Sequence, residues 1–86
     1  MTQDPRPFTT SDMWLAASVV AATNANEVHV ERTANGDRRA TFIVACPAGA
    51  DCDLIAAEFR SERLQVNAAA FMRAIRRLKR ALYDGE

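Results

Sequence analysis

Glu27-Val28-His29-Val30-Glu31, then Asn35-Gly36, then Ala40-Thr41-Phe42-Ile43-Val44-Ala45 is where the chain changes its period. Val28 and Val30 alternate against His29 and Glu31, which is the pattern of a half-buried strand. Asn35-Gly36 is the strongest short hairpin signal, because both residues accept positive φ. The return strand runs from Arg38 or Arg39 to Ala45, with Ala40, Phe42 and Val44 pointing one way and Thr41 and Ile43 the other. Apolar residues on both faces place this strand inside its sheet rather than at an edge.

Outward from this hairpin, the period becomes helical. Upstream, Met13, Ala16, Ala17, Val20 and Ala21 recur at helical spacing, with Trp14 and Leu15 broadening the face, so a first helix is predicted to about Thr23. Thr9 or Thr10 is read as its cap, Asp12 suits its positive end, Phe8 staples onto Met13, and Asn24-Ala25-Asn26 ends it. Residues 1–7 hold two prolines and little to bury, and are read as a flexible tail before one domain spanning 8–86. Downstream, Cys46-Pro47-Ala48-Gly49-Ala50-Asp51 is a turn whose aspartate caps a second helix over Cys52–Arg60, with Leu54, Ile55, Glu58 and Phe59 as its stripe. Leu64-Gln65-Val66 alternates and is read as a third strand, and Asn67 caps a last helix over Ala68–Tyr83. The expected fold is α+β in the order α-β-β-α-β-α: a small three-stranded sheet with a β-hairpin and helices packed mainly on one face.

Eighty-six residues hold one core. A domain of this size buries only about 60 to 65% of its unfolded surface, which favours a homodimer on general grounds. The formal net charge is zero, yet residues 1–62 carry nine acids and five bases, net −4, and residues 63–86 six bases and two acids, net +4. Ten of the eleven cations are arginine. That suits bidentate recognition of phosphate or carboxylate, although a GC-rich genome raises arginine and alanine together. No apolar run approaches the roughly 18 to 20 residues of a membrane span. With no signal-like N-terminus either, the expected compartment is the cytoplasm, with no membrane partner.

The last helix carries the most informative surface. At about 100° per residue, Phe71, Ala74, Ile75, Leu78, Ala81 and Leu82 fall together, while Arg73, Arg76, Arg77 and Arg80 cluster opposite. From Phe71 to Tyr83 there are five cations, counting Lys79, and no anion. Helix-terminal cations are stabilised by the C-terminal dipole, but like charges three and four apart repel slightly. The face therefore reads either as a grip for nucleic-acid backbone or an acidic protein, or as a solvated helix back. Arg38 and Arg39 would extend it. Tyr83 and Trp14 read as interface or core aromatics, with base stacking as the alternative. Met13, Met72 and Phe71 read as packing residues.

Other chemistry is sparse. Cys46-x5-Cys52 beside Asp51, Asp53 and His29 fits structural zinc poorly, since such sites pair ligands at C-x2-4-C and need four of them. Without a secretory signal, free structural thiols are expected rather than a disulfide. Asp51 and Asp53 read as helix-start acids. Glycines at 36, 49 and 85 make no phosphate cradle. Neither an enzyme, a metal nor a cofactor is expected.

Phe8-Thr9-x-x-Asp12-x-x-Leu15-Ala16-Ala17, the Asn-Gly hairpin leading to Thr41-Phe42-Ile43-Val44, and Val66 followed by Phe71-x-x-x-Ile75-x-x-Leu78-Lys79-x-x-Leu82-Tyr83 resemble a small family of domains of unknown function from bacteria and their phages. The resemblance covers nearly the whole chain, mostly through core and capping positions. It implies a bacterial, cytoplasmic, single-domain protein and no particular reaction. The Cys46 to Cys52 loop lies outside the shared pattern. From the residues and this likeness, the expectation is a non-enzymatic module that contacts nucleic-acid backbone without sequence specificity, or an assembly domain that binds an acidic partner or a second copy.

Overall fold

The computed structural model describes residues 6–32 and 40–84. Its elements are β1 (Arg6–Thr10), α1 (Met13–Thr23), β2 (Val28–Arg32), β3 (Ala40–Cys46), α2 (Cys52–Arg60) and α3 (Ala68–Asp84). The sheet is antiparallel in the order β1-β3-β2, so β3 is central, as its two apolar faces require. Phe42 and Val44 are buried beneath the helices, and His29 and Ile43 pair on the opposite face. Among the described residues the fold is α+β with three strands and three helices. The Asn35-Gly36 turn and Arg38 and Arg39 lie outside the described residues.

Two expectations about the order of elements are corrected. Arg6 and Pro7 do not belong to a tail, because they open β1, whose Phe8 pairs with Val44 and packs on the core. Proline is tolerated there because β1 is an edge strand, where one side of the backbone needs no ladder partner. Leu64-Gln65-Val66 is not a strand. Its alternation is nonetheless real: Leu64 and Val66 are half-buried and Gln65 is exposed, so the pattern records packing against helices instead of a ladder. The observed order is β-α-β-β-α-α.

Local chemistry explains the helix ends. Asp12, not Thr9 or Thr10, caps α1, its Oδ1 accepting from the N–H groups of Trp14 (2.9 Å) and Leu15 (3.3 Å), while Thr10 Oγ1 accepts from the Asp12 N–H. Asn24 closes the helix in the left-handed region, which asparagine tolerates. Asp51 and Asn67 cap α2 and α3 as expected, accepting from the N–H groups of Leu54 and Ala70, each at 3.0 Å. α2 ends in a Schellman motif: Arg63 N–H donates to Glu58 O and Glu62 N–H to Phe59 O, with Glu62 at φ 62°.

The core runs between sheet and helices. α1 packs against β1, β3, α2 and α3, and every residue from Leu15 to Val20 is buried. Ala16, Ala17 and Val19 lose all their exposure, together with Val44 and Leu78. α1 is therefore apolar on all sides rather than along the single stripe read from its spacing. In α2 the buried residues are Cys52 and Ala56, with Ile55 and Phe59 partly covered, whereas Leu54 and Glu58 face outward.

Cys46 and Cys52 are joined by a disulfide, with their Cα atoms 6.3 Å apart, which overturns the expectation of free thiols. The turn at residues 47–51 brings the end of β3 back to the start of α2, so the two sulfurs meet inside the core. Closing so short a loop stabilises the fold by about 2 kcal/mol on chain-entropy grounds.

Candidate nucleic-acid interface

α3 is built to present two faces. Ala74, Ile75 and Leu78 are buried, Phe71 packs partly against the core, and Ala81 and Leu82 are half-buried. On the remaining surface Arg73, Arg76, Arg77, Lys79 and Arg80 are all exposed. Tyr83 joins them with 71% of its surface open to solvent. One turn separates Tyr83 from Arg80 and one more leads to Arg76, so an aromatic plane and a row of cations share the outer side of one cylinder.

The five cations do not all play the same part. Arg77 turns back toward the body: its guanidinium donates to Ala25 O (2.9 Å) and to Asn26 O. Those carbonyls belong to the segment that leaves α1 and enters β2, so Arg77 ties α3 to the end of α1. This role was not readable from spacing, since its partners lie 52 and 51 positions away in the chain. Arg32 of β2 makes a comparable tie from the other direction, donating to Leu82 O near the C-terminal end of α3. The outward cationic set is then Arg73, Arg76, Lys79 and Arg80.

Trp14 stands elsewhere, at the first turn of α1. Its ring stacks on Phe71 with centroids 6.0 Å apart and planes 12° from parallel, yet 58% of the residue remains exposed. Ala16 and Ala17 of α1 are buried, whereas Ala21 is half-buried and Ala22 exposed. Met72 is 50% exposed and is not a core residue, contrary to its reading as packing. Beside it a groove of about 410 Å³ runs between the end of α2, the 64–66 segment and the start of α3, lined by Phe59, Leu64, Val66 and Phe71 with Glu62 at its rim.

The uncovered face of the sheet carries a hollow of about 740 Å³ with Pro7, His29, Ile43, Ala45 and Arg77 around it. Its ionisable lining is the His29 imidazole, Glu27 and an arginine already bonded to backbone. His29 lies opposite Ile43 on that outer face, whereas both cysteines are buried among the helices and bonded to each other. Thiol nucleophilic chemistry needs a free sulfur beside a base, and this arrangement offers neither. Among the described residues no group of three or more His, Cys, Asp or Glu side chains gathers as a metal site, and no helix is long and apolar enough to cross a membrane.

No family model matches the chain, and no curated protein or solved structure shows significant similarity to it.

Proposed function

We propose that this protein is a non-enzymatic binding module whose α3 holds nucleic-acid backbone, with Arg73, Arg76, Lys79 and Arg80 on phosphates and Tyr83 as a stacking plane for an unpaired base. One observation supports this reading above the others: a cationic helix face that no acid interrupts and that carries an exposed tyrosine in line with its arginines. A solvated helix back gains from alternating signs, whereas a phosphate-tracking surface needs cations alone and gains about 1 to 3 kcal/mol per stacked base. Backbone contacts carry no sequence information, so binding is non-specific.

A nucleic-acid partner goes with a cytoplasmic location, which is part of the same proposal. The Cys46–Cys52 bond weighs against that compartment, because disulfides persist mainly where the surroundings are oxidising.

Fluorescence anisotropy with labelled single-stranded DNA, duplex DNA and RNA tests the reading. Four neutralised phosphates predict a log–log salt slope of about −3 to −4 on duplex DNA. Replacing Arg73→Gln and Arg80→Gln together should weaken binding to every sequence alike and reduce the slope by about two. Absence of binding at low salt, or binding indifferent to salt, would retire it. A second reading, assembly with protein, is favoured by the exposure of Trp14 and Met72.

A further inference from the structure

We infer that two copies of this chain join edge to edge through β2, so that their sheets continue as one antiparallel sheet. The inference does not rest on the nucleic-acid reading, because it uses the backbone of a strand and none of the α3 cations.

In the order β1-β3-β2 each outer strand keeps one side of its backbone without a ladder partner. The two edges differ. β1 carries Pro7, which lacks an N–H and so guards its edge against further pairing, whereas β2, Val28–Arg32, has no proline. The register shows which groups of β2 are free. Ala45 N–H donates to Glu27 O at 3.0 Å, and bonded pairs in an antiparallel ladder recur at every second residue. His29 opposite Ile43 and Glu31 opposite Thr41 continue that bonded set, so the N–H and C=O groups of Val28, Val30 and Arg32 point away from β3. Among the described residues, no backbone group outside the sheet bonds to Val28 or Val30.

The side chains of β2 identify the occupant as a second β2. Antiparallel pairing about a two-fold axis at Val30 makes bonded pairs of Val30 with its own copy and of Val28 with the second copy's Arg32. His29 then faces the second copy's Glu31, and Glu31 the second copy's His29. Both residues are exposed on the open face of the sheet, and opposite them on β3 stand only Ile43 and Thr41, which carry no charge. Across the axis each imidazole meets a carboxylate at the close spacing of non-bonded pairs, about 4.5 Å between Cα atoms. The other registers open to the same outward groups are poorer. One step toward the start of β2 sets His29 on His29 and Glu27 on Glu31. One step toward its end sets Glu31 on Glu31, and the next sets Arg32 on Arg32. Two steps toward the start would join Glu27 to His29 but would need the backbone of Asn26, whose carbonyl already accepts from the Arg77 guanidinium. A strand of unrelated sequence matches the backbone alone. The axis stands normal to the sheet, so the helix layers, with α3 on β2, share one side and the His29–Glu31 pairs lie on the other.

One short strand per copy makes a contact at the low end of specific interfaces, below about 1,200 Å². Sedimentation velocity between about 10 μM and 1 mM, where mass action moves the equilibrium, should show the wild-type chain passing from monomer to dimer. His29→Glu sets carboxylate against carboxylate in both pairs and should raise the Kd about tenfold; adding Glu31→Lys should bring it back to within about threefold of wild type. Both positions are exposed, and a thermal melt verifies that each variant is folded. Amide hydrogen exchange followed by NMR locates the contact. The Val28 and Val30 amides should exchange quickly in dilute samples and slowly in concentrated ones, while those of His29 and Glu31, bonded to β3, stay protected in both. A wild-type chain that stays monomeric throughout would overturn the pairing. So would a dimer whose Val28 and Val30 amides exchange as in the monomer, or a double variant that binds no more tightly than His29→Glu.

Discussion

α1 and α3 lie side by side, both rich in alanine, and they are opposite kinds of helix. From Leu15 to Val20, α1 is buried at every position and carries no charge along its length. In α3 the buried positions are Ala74, Ile75 and Leu78, and cations cover much of the outer surface. The difference comes from neighbours: α1 touches the sheet and both other helices, whereas α3 packs mainly on α1 and β2. A helix enclosed along its middle offers a partner only its ends, here Trp14 and Ala22, while a helix held along one stripe leaves the remainder available. Only the second kind shows its orientation in its periodicity.

Four substitutions test that contrast, each read as a shift in the denaturant midpoint at constant m-value. The largest effect belongs to the anchor of α3. Leu78→Ala removes a fully buried side chain from the stripe that holds α3 and should cost about 3 kcal/mol, within the range for buried leucines; a cost near zero would mean that the stripe does not hold the helix. Next, Ala17→Leu overfills α1 where no space remains and should cost about 2 kcal/mol, and a tolerated leucine would show that α1 is not enclosed. The smallest effect separates two exposed arginines of α3. Arg77→Met should cost about 1 kcal/mol through the lost bonds to Ala25 and Asn26, whereas Arg80→Met should fall within about 0.5 kcal/mol of wild type. Equal costs for the two would erase the division between the arginine that braces the fold and those left for a ligand.

Much of the fold was legible where a local rule operates over a few residues. The alternation in β2 and β3, the bounds of α2 and the caps at Asp51 and Asn67 all follow from side chains acting within a turn or a pleat. What was not legible depends on contacts between distant parts of the chain. β1 carries a proline and two threonines, which read equally well as tail and helix cap; its pairing with β3, some 32 to 40 positions away along the register, makes it a strand. The Leu64 and Val66 alternation had the right period for a strand and the wrong partner. Trp14 and Arg77 show the same limit at the surface. Helical spacing put Trp14 on a broad apolar face and Arg77 among the free cations, but one is largely exposed and the other is bonded to backbone.

The disulfide has a mechanical consequence as well as a thermodynamic one. α2 is a rod of nine residues, about 13 Å long at 1.5 Å per residue. One end is pinned covalently to β3 at Cys52, and the other delivers Glu62 and Phe59 to the side of the groove. On a lever of that length, a rotation of about 10° at the pinned end moves the tip by about 2 Å, more than half the diameter of a water molecule. The sulfur bond thus fixes the end of the rod that lies away from the groove.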